Sequence, residues 1–242
     1  MIILFSPSED KKFIYKESKN KSFAFVYNLL FSDLNAHRLS ILKKYINFLK
    51  KSPSGDLARI FGVKSFKNLD LIAACSSIDC ANTIESIYLY SGTAFRALDI
   101  ESMPKNGLDF VMNNVIIFSN LFGAIRAKDK IPYYKLKQGE NFLDININYV
   151  YKGFDGFLDD YLKDKEILDL RAEFYTKAYK LNLAHTKVEF FKNGKKATHY
   201  SKFYRGLLLR NLAINNEITY PFKLISSKTS GLTKILQYEV LN

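Results

Sequence analysis

Apolar positions open the chain without a break. Met1-Ile2-Ile3-Leu4-Phe5 runs until Ser6-Pro7-Ser8-Glu9 turns polar, the pattern of a buried strand feeding a loop. From Leu34 to Lys50 the residues Leu34, Leu39, Ile41, Leu42, Tyr45, Ile46 and Leu49 recur at the spacing of an amphipathic helix. Ser52-Pro53-Ser54-Gly55 breaks it, Asp56 is placed to cap a short helix from Leu57 to Phe61, and Gly62 is placed to end that helix. Val115-Ile116-Ile117-Phe118 and Ile167-Leu168-Asp169-Leu170 are apolar enough to predict central strands, each followed by a helix-like stretch. Asn193-Gly194, inside Val188 to Lys196, is a hairpin signal. Ser201 to Ala213 then predicts a helix and Ile235 to Leu241 a closing strand. Together these elements predict an α/β or mixed α+β fold, a mixed sheet flanked by helices. No repeat or low-complexity linker marks a boundary, so one compact domain over 1–242 is expected.

Composition adds that this is a globule: 48% hydrophobic and 15% aromatic content, with 25% charged residues, supports a large core. Charge adds a class of partner. With 36 Lys and Arg against 24 Asp and Glu, the net charge of +12 favours a polyanion, nucleic acid before an acidic membrane surface. The excess is uneven: 13 basic and 5 acidic residues fall in 1–67, 13 and 16 in 68–184, and 10 and 3 in 185–242. If the two basic ends meet in space, they form one positive face, or cleft, suited to phosphates. Cys75 and Cys80 are too few for a disulfide framework and lack the second pair of a zinc site. No stretch reaches the length of a membrane span, and the opening apolar run is too short for a signal-peptide core. A cytoplasmic protein with no membrane partner is expected.

Five segments, in order, resemble the YaaA family of bacterial peroxide-stress proteins. They are Ser6-Pro7-Ser8-Glu9-Asp10-Lys11; Tyr90-Ser91-Gly92, continuing through Ala97-Leu98-Asp99; Ser119 to Arg126 with Asp129 and Ile131-Pro132-Tyr133-Tyr134-Lys135-Leu136; Asp169 to Tyr175; and His199 to Arg210. The third is similar to the family's S-x-L-x-G-x-L-R-P-x-D-x-I-x-x-Y-R-L block. The last is similar to its K-x-x-x-G-x-x-x-R helix. Asp10, Ala127 and Lys135 depart from the usual Gly, Pro and Arg. The resemblance implies a mixed α/β fold with a positively charged cleft, a helix-hairpin-helix-like element, DNA binding, and a role in limiting free iron under hydrogen peroxide stress.

Lys11, beside Ser6 and Ser8 after the first strand, is a candidate phosphate contact, although no Walker loop surrounds it. Arg126 and Arg171 follow β-like runs, where α/β folds present ligand-binding side chains, and their family positions point to a shared polar cleft. The competing role for each is an internal ion pair with Asp129, Asp169 or Glu173. Lys202 and Arg205 share a helix face, with Arg210 displaced from it and Tyr200, Phe203 and Tyr204 interleaved. Of these rings, Phe203 reads as core. In the region 34–64, Arg59, Gly62 and Lys64 are the helix-hairpin-helix candidates, the alternative for Gly62 being an ordinary cap. His37, His185 and His199 are too scattered to suggest a metal site, and no cofactor motif is present. Glu9, Asp99, Asp129, Asp169 and Glu173 leave open an acid/base site, and with it an enzyme acting on a nucleotide or nucleic acid. Oligomeric state is not legible.

Overall fold

In chain order the elements are β1 (Ile2–Phe5), α1 (Asn35–Lys51), α2 (Ser54–Phe61), α3 (Leu69–Ser76), β2 (Thr83–Glu85), α4 (Ser86–Leu89), α5 (Thr93–Leu98) and α6 (Lys105–Asn114). There follow β3 (Val115–Ser119), β4 (Gly123–Arg126), β5 (Lys130–Pro132), α7 (Ile147–Lys152), α8 (Phe157–Leu162), β6 (Ile167–Leu170) and α9 (Glu173–Ala178). The last are β7 (His185–Lys192), β8 (Lys195–Lys196), α10 (Ser201–Asn215), β9 (Phe222–Ser230) and β10 (Thr233–Val240). This computed structural model describes residues 1–14, 16, 23–65 and 69–241.

The main sheet runs β4-β3-β1-β6-β7-β10-β9, with β8 paired to the far end of β7. β3, β1, β6, β7 and β10 are parallel, while β4, β8 and β9 pair antiparallel. β1 lies inside because its four residues are buried on both faces, as are all of β3 and β6. The fold is thus a mixed α/β one. Asn193 and Gly194 both take positive φ, 51° and 71°, the geometry of a tight primed hairpin turn, and they join β7 to β8.

Several elements differ from the sequence reading. β3 is followed by a tight turn and the antiparallel β4, not by a helix-like stretch. The reason is a buried anchor: Ser119 Oγ accepts from the Leu121 and Phe122 amides at 3.2 and 3.1 Å and turns the chain back. The second short helix begins at Ser54, and Asp56 lies within its first turn without capping it. That helix does end at Gly62, whose φ of 68° lets its amide and that of Val63 bond back to Arg59 and Ala58. β9 runs largely exposed and lacks the alternation that would have marked it. Phe203 is 40% exposed, whereas Tyr204 beside it is 8% exposed and packs on Phe190.

α1 buries Ile41, Leu42, Tyr45 and Leu49, as its spacing requires, but it also buries Arg38 at 1% exposure. That guanidinium donates to the Phe31, Phe122 and Ala124 carbonyls at 2.9 to 3.1 Å. It thereby satisfies the backbone of the β3–β4 turn from inside the core.

Candidate functional site

The chain leaves β1 toward β3 on one side, and leaves β6 toward β7 on the other. In a parallel sheet, that reversal opens a crevice at the carboxyl ends of the two strands, the place where α/β folds take ligands. Here the crevice is a cavity of about 260 Å3 lined by the loop Ser6–Asp10 after β1, Leu170 and Ala172 after β6, the start of α5, Tyr175, Gln138, and Lys202 and Arg205 of α10. Its two strand-end loops are tied together: Ser6 Oγ accepts from the Ala172 amide at 2.7 Å.

Two glycines bring the walls close. A Cβ on Gly92 would lie 2.2 Å from Ser8 Oγ, and one on Gly206 would lie 1.9 Å from the Ala94 carbonyl oxygen. At Gly206 the obstruction is backbone, so only a residue without a side chain allows the approach, whereas at Gly92 it is the Ser8 hydroxyl. Both glycines fall in segments quoted above, within Tyr90-Ser91-Gly92 and midway between Lys202 and Arg210.

Beneath the loop lies a buried polar cluster. The Lys11 amine donates to the Ser8 and Glu9 carbonyls at 3.0 and 3.4 Å and sits 4.1 Å over the Tyr134 ring. The Tyr134 hydroxyl in turn meets Tyr90 and Ser119 at 2.9 Å and donates to Asn120 at 3.1 Å. Burial, and then the nearby charge of Lys135, hold the Lys11 amine down to about 7. It is not among the residues lining the crevice, so Lys11 braces the loop from behind. The motif segments supplied every member of this cluster, but nothing in their spacing showed that they converge.

The arginines have divergent fates. Arg171 is 5% exposed, with Nε and Nη2 each 2.8 Å from the Asp169 carboxylate and Nη1 3.0 Å from the Tyr179 carbonyl. Arg126 holds Asp129 at 2.7 Å and the Asn28 carbonyl at 3.0 Å, and lines a separate depression that shares no residue with the crevice. The shared cleft expected for these two arginines is therefore not formed, because β3 and β1 lie between them. Arg210 donates to the Leu98 and Asp99 carbonyls at 2.9 and 2.7 Å and fastens α10 to the end of α5. Arg59 is held by Glu140 at 2.6 Å, while Lys64 stands in solvent.

Arg205 differs from all of these. It lines the crevice and also a neighbouring cavity of about 440 Å3 above β6, whose floor holds Asp169 and Arg171. Among the described residues its guanidinium has no hydrogen-bond or ion-pair partner, and burial pulls its pKa below the ordinary arginine value against the opposing charge of Asp169. Lys202, one turn earlier and exposed, is likewise unpartnered among the described residues. Tyr175, the last residue of the fourth motif segment, was given no role from the sequence: it is 3% exposed, lines the crevice, and its hydroxyl has no hydrogen-bond partner among the described residues. Glu9 and Asp10 lie on the loop side of the same cavity, with Glu9 Oε1 accepting from the Gln138 amide at 3.1 Å. The arrangement offers an anion two cations and a phenol. Among the described residues no group of three or more His, Cys, Asp or Glu is placed to hold a metal, and no helix is long and apolar enough to cross a membrane.

Known proteins resemble this sequence. An uncharacterized protein of Campylobacter jejuni is 36% identical over 233 residues, covering 96% of this chain and 92% of its own. A UPF0246 protein of Fusobacterium nucleatum is 25% identical over 247 residues, with the same coverages of 96% and 92%. Another, from Neisseria gonorrhoeae, is 25% identical over 154 residues, covering 58% of this chain and 59% of its own. The family model described as peroxide stress protein YaaA matches residues 1–234, and the chain belongs to that family.

Proposed function

We propose that this protein binds DNA with little sequence preference, as a cytoplasmic member of a peroxide-stress response, gripping phosphates from the carboxyl edge of its sheet. The supporting observation is the pair Lys202 and Arg205, unpartnered cations one turn apart on α10 and open to the crevice. Tyr200 and Phe203, 65% and 40% exposed on the same helix, add ring faces on which an unstacked base can lie. Limiting intracellular free iron, the role implied by the family resemblance, is then the cellular outcome of DNA binding and not of metal capture by this chain. The helix-hairpin-helix reading of α2 and the turn after it belongs to the same proposal, with Lys64 as its exposed cation.

Titration of labelled duplex, bubble and single-stranded DNA at several salt concentrations tests this. Affinity falls steeply with salt, and Lys202→Ala/Arg205→Ala reduces both the affinity and the salt slope, by about 0.9 per lost duplex phosphate contact. Absent binding, or binding untouched by the double substitution, overturns it.

A second reading, an enzyme acting on a nucleotide or nucleic acid, is favoured by the carboxylates of Glu9 and Asp10, which line the same cavity as the cations. Product analysis after incubation with nucleotides and DNA decides it. Turnover lost in Glu9→Gln, with binding retained, is the result that supports it.

A further inference from the structure

The crevice is too small for the ligand its charge attracts. A cavity of about 260 Å3 falls below the roughly 300–1,000 Å3 of drug-sized ligand clefts. A cavity of that volume has no room for a duplex, which can only lie across its mouth. Yet one of its cations is half-buried: Arg205 lines both cavities and has no hydrogen-bond or ion-pair partner among the described residues, the Asp169 charge it feels being already held by Arg171. Stripping a guanidinium of water without pairing it is costly, so a position like this favours an anion small enough to reach it.

We propose that the β1–β6 crevice is a pocket for a terminal phosphate, taking one nucleotide-sized unit that carries a phosphomonoester. A monoester bears about −1.5 to −2 charges near neutral pH, whereas a backbone diester bears one. Arg205 and Lys202 together supply two positive charges on one wall. The Tyr175 phenol, pushed well above its ordinary ionisation range by burial, stays protonated and donates a hydrogen bond. Thr93 adds a hydroxyl on the same lining. The carboxylates of Glu9 and Asp10 on the loop side reject an anion placed there, so the phosphate is confined to the α10 wall and the nucleoside lies toward the mouth. This inference rests on the DNA-binding reading only in taking a nucleotide as the carrier of the phosphate.

The test compares four probes on the full chain: a single-stranded oligonucleotide with a 5′-phosphate, its 5′-hydroxyl twin, a covalently closed circular duplex without ends, and adenosine monophosphate against adenosine as competitors. The expected result is a preference of tenfold or more for the phosphorylated strand, with adenosine monophosphate competing and adenosine not. Arg205→Gln abolishes that preference, Arg205→Lys keeps part of it, and Tyr175→Phe lowers it severalfold. A strand that binds much more tightly than the mononucleotide identifies a strand end as the ligand. The reverse order identifies a free nucleotide. Equal binding of the twins, or a preference that survives Arg205→Gln, overturns the proposal. Binding of the closed circle with no end preference leaves DNA binding standing without this pocket. Binding of adenosine monophosphate with no DNA of any form leaves the pocket standing without DNA binding.

Discussion

Gly206 on α10 and Ala94 on α5 touch so closely that a Cβ at position 206 would come within 1.9 Å of the Ala94 carbonyl oxygen. That contact sets α10 against the entrance of α5 and so holds Lys202 and Arg205 at the crevice. One turn further along the same helix, Arg210 closes on the Leu98 and Asp99 carbonyls at 2.9 and 2.7 Å. A glycine and an arginine thus fix the helix at two points, and Lys202 and Arg205, in the turn just before Gly206, are held in place with it.

Replacing Gly206 with Ala forces the helices apart because the obstructing atom is backbone and cannot rotate away. The expected cost is about 1–3 kcal/mol of stability, read from urea denaturation. DNA affinity per folded molecule also falls, since Lys202 and Arg205 retreat from the wall. Arg205→Ala lowers affinity without that stability cost. Wild-type stability and affinity in Gly206→Ala would sink this account of the glycine.

Lys11 makes stability depend on pH in a definite direction. A lysine ionises at an ordinary 10.5 in the unfolded chain, and burial holds Lys11 to about 7 in the folded one. Between those values the unfolded chain carries more protons, so folding is favoured progressively as pH rises from about 7 toward 10.5. The cost of burying the charge is present in full below about 7. Measured as urea midpoints from about pH 6 to about pH 10, wild type gains stability relative to Lys11→Met. Parallel pH profiles for the two proteins contradict the placement of the amine.

Arg171 and Asp169 form a buried pair, with side chains 1% and 0% exposed at 2.8 Å. Arg171→Met leaves a carboxylate buried and unpaired and costs about 3–5 kcal/mol. The double replacement Arg171→Met/Asp169→Leu costs less than the sum of the two single ones, because it removes both charges. A double-mutant cycle in urea shows the coupling, and additive losses would refute it.

Much of the framework was legible along the chain. Continuous apolar runs marked β1, β3 and β6 because strands buried on both faces have no polar side to alternate with. Helical spacing marked α1, and Asn193-Gly194 marked the β7–β8 turn because few other pairs tolerate two positive φ angles. β9, with one buried residue among nine, carries no hydrophobic period at all. Its place is set by pairing with β10, whose own position depends on β7.

The charge pattern shows the same divide. Basic residues of the first third meet acids of the middle third: Lys12 with Glu101, Lys44 with Asp144 at 2.7 Å, and Arg59 with Glu140 at 2.6 Å. Those cations are spent at home, whereas Lys202 and Arg205 are left without partners among the described residues. A basic end to the chain was visible in composition, but which basic residues remain free depends on neighbours far away in sequence.

The sequence by itself determined the family, the parallel core strands and the excess of positive charge, because motif order, hydrophobic period and net charge are properties of the chain. Only the tertiary structure decided which arginines face a ligand. Arg126 and Arg171 are taken by Asp129 and Asp169, near neighbours that the sequence had offered as ion-pair partners, and Arg210 by carbonyls that only folding brings within 3 Å, whereas Arg205 is taken by none. The physical reason is that hydrogen bonds and ion pairs act through space over a few ångströms, and the chain offers candidate partners without deciding which of them end up that close.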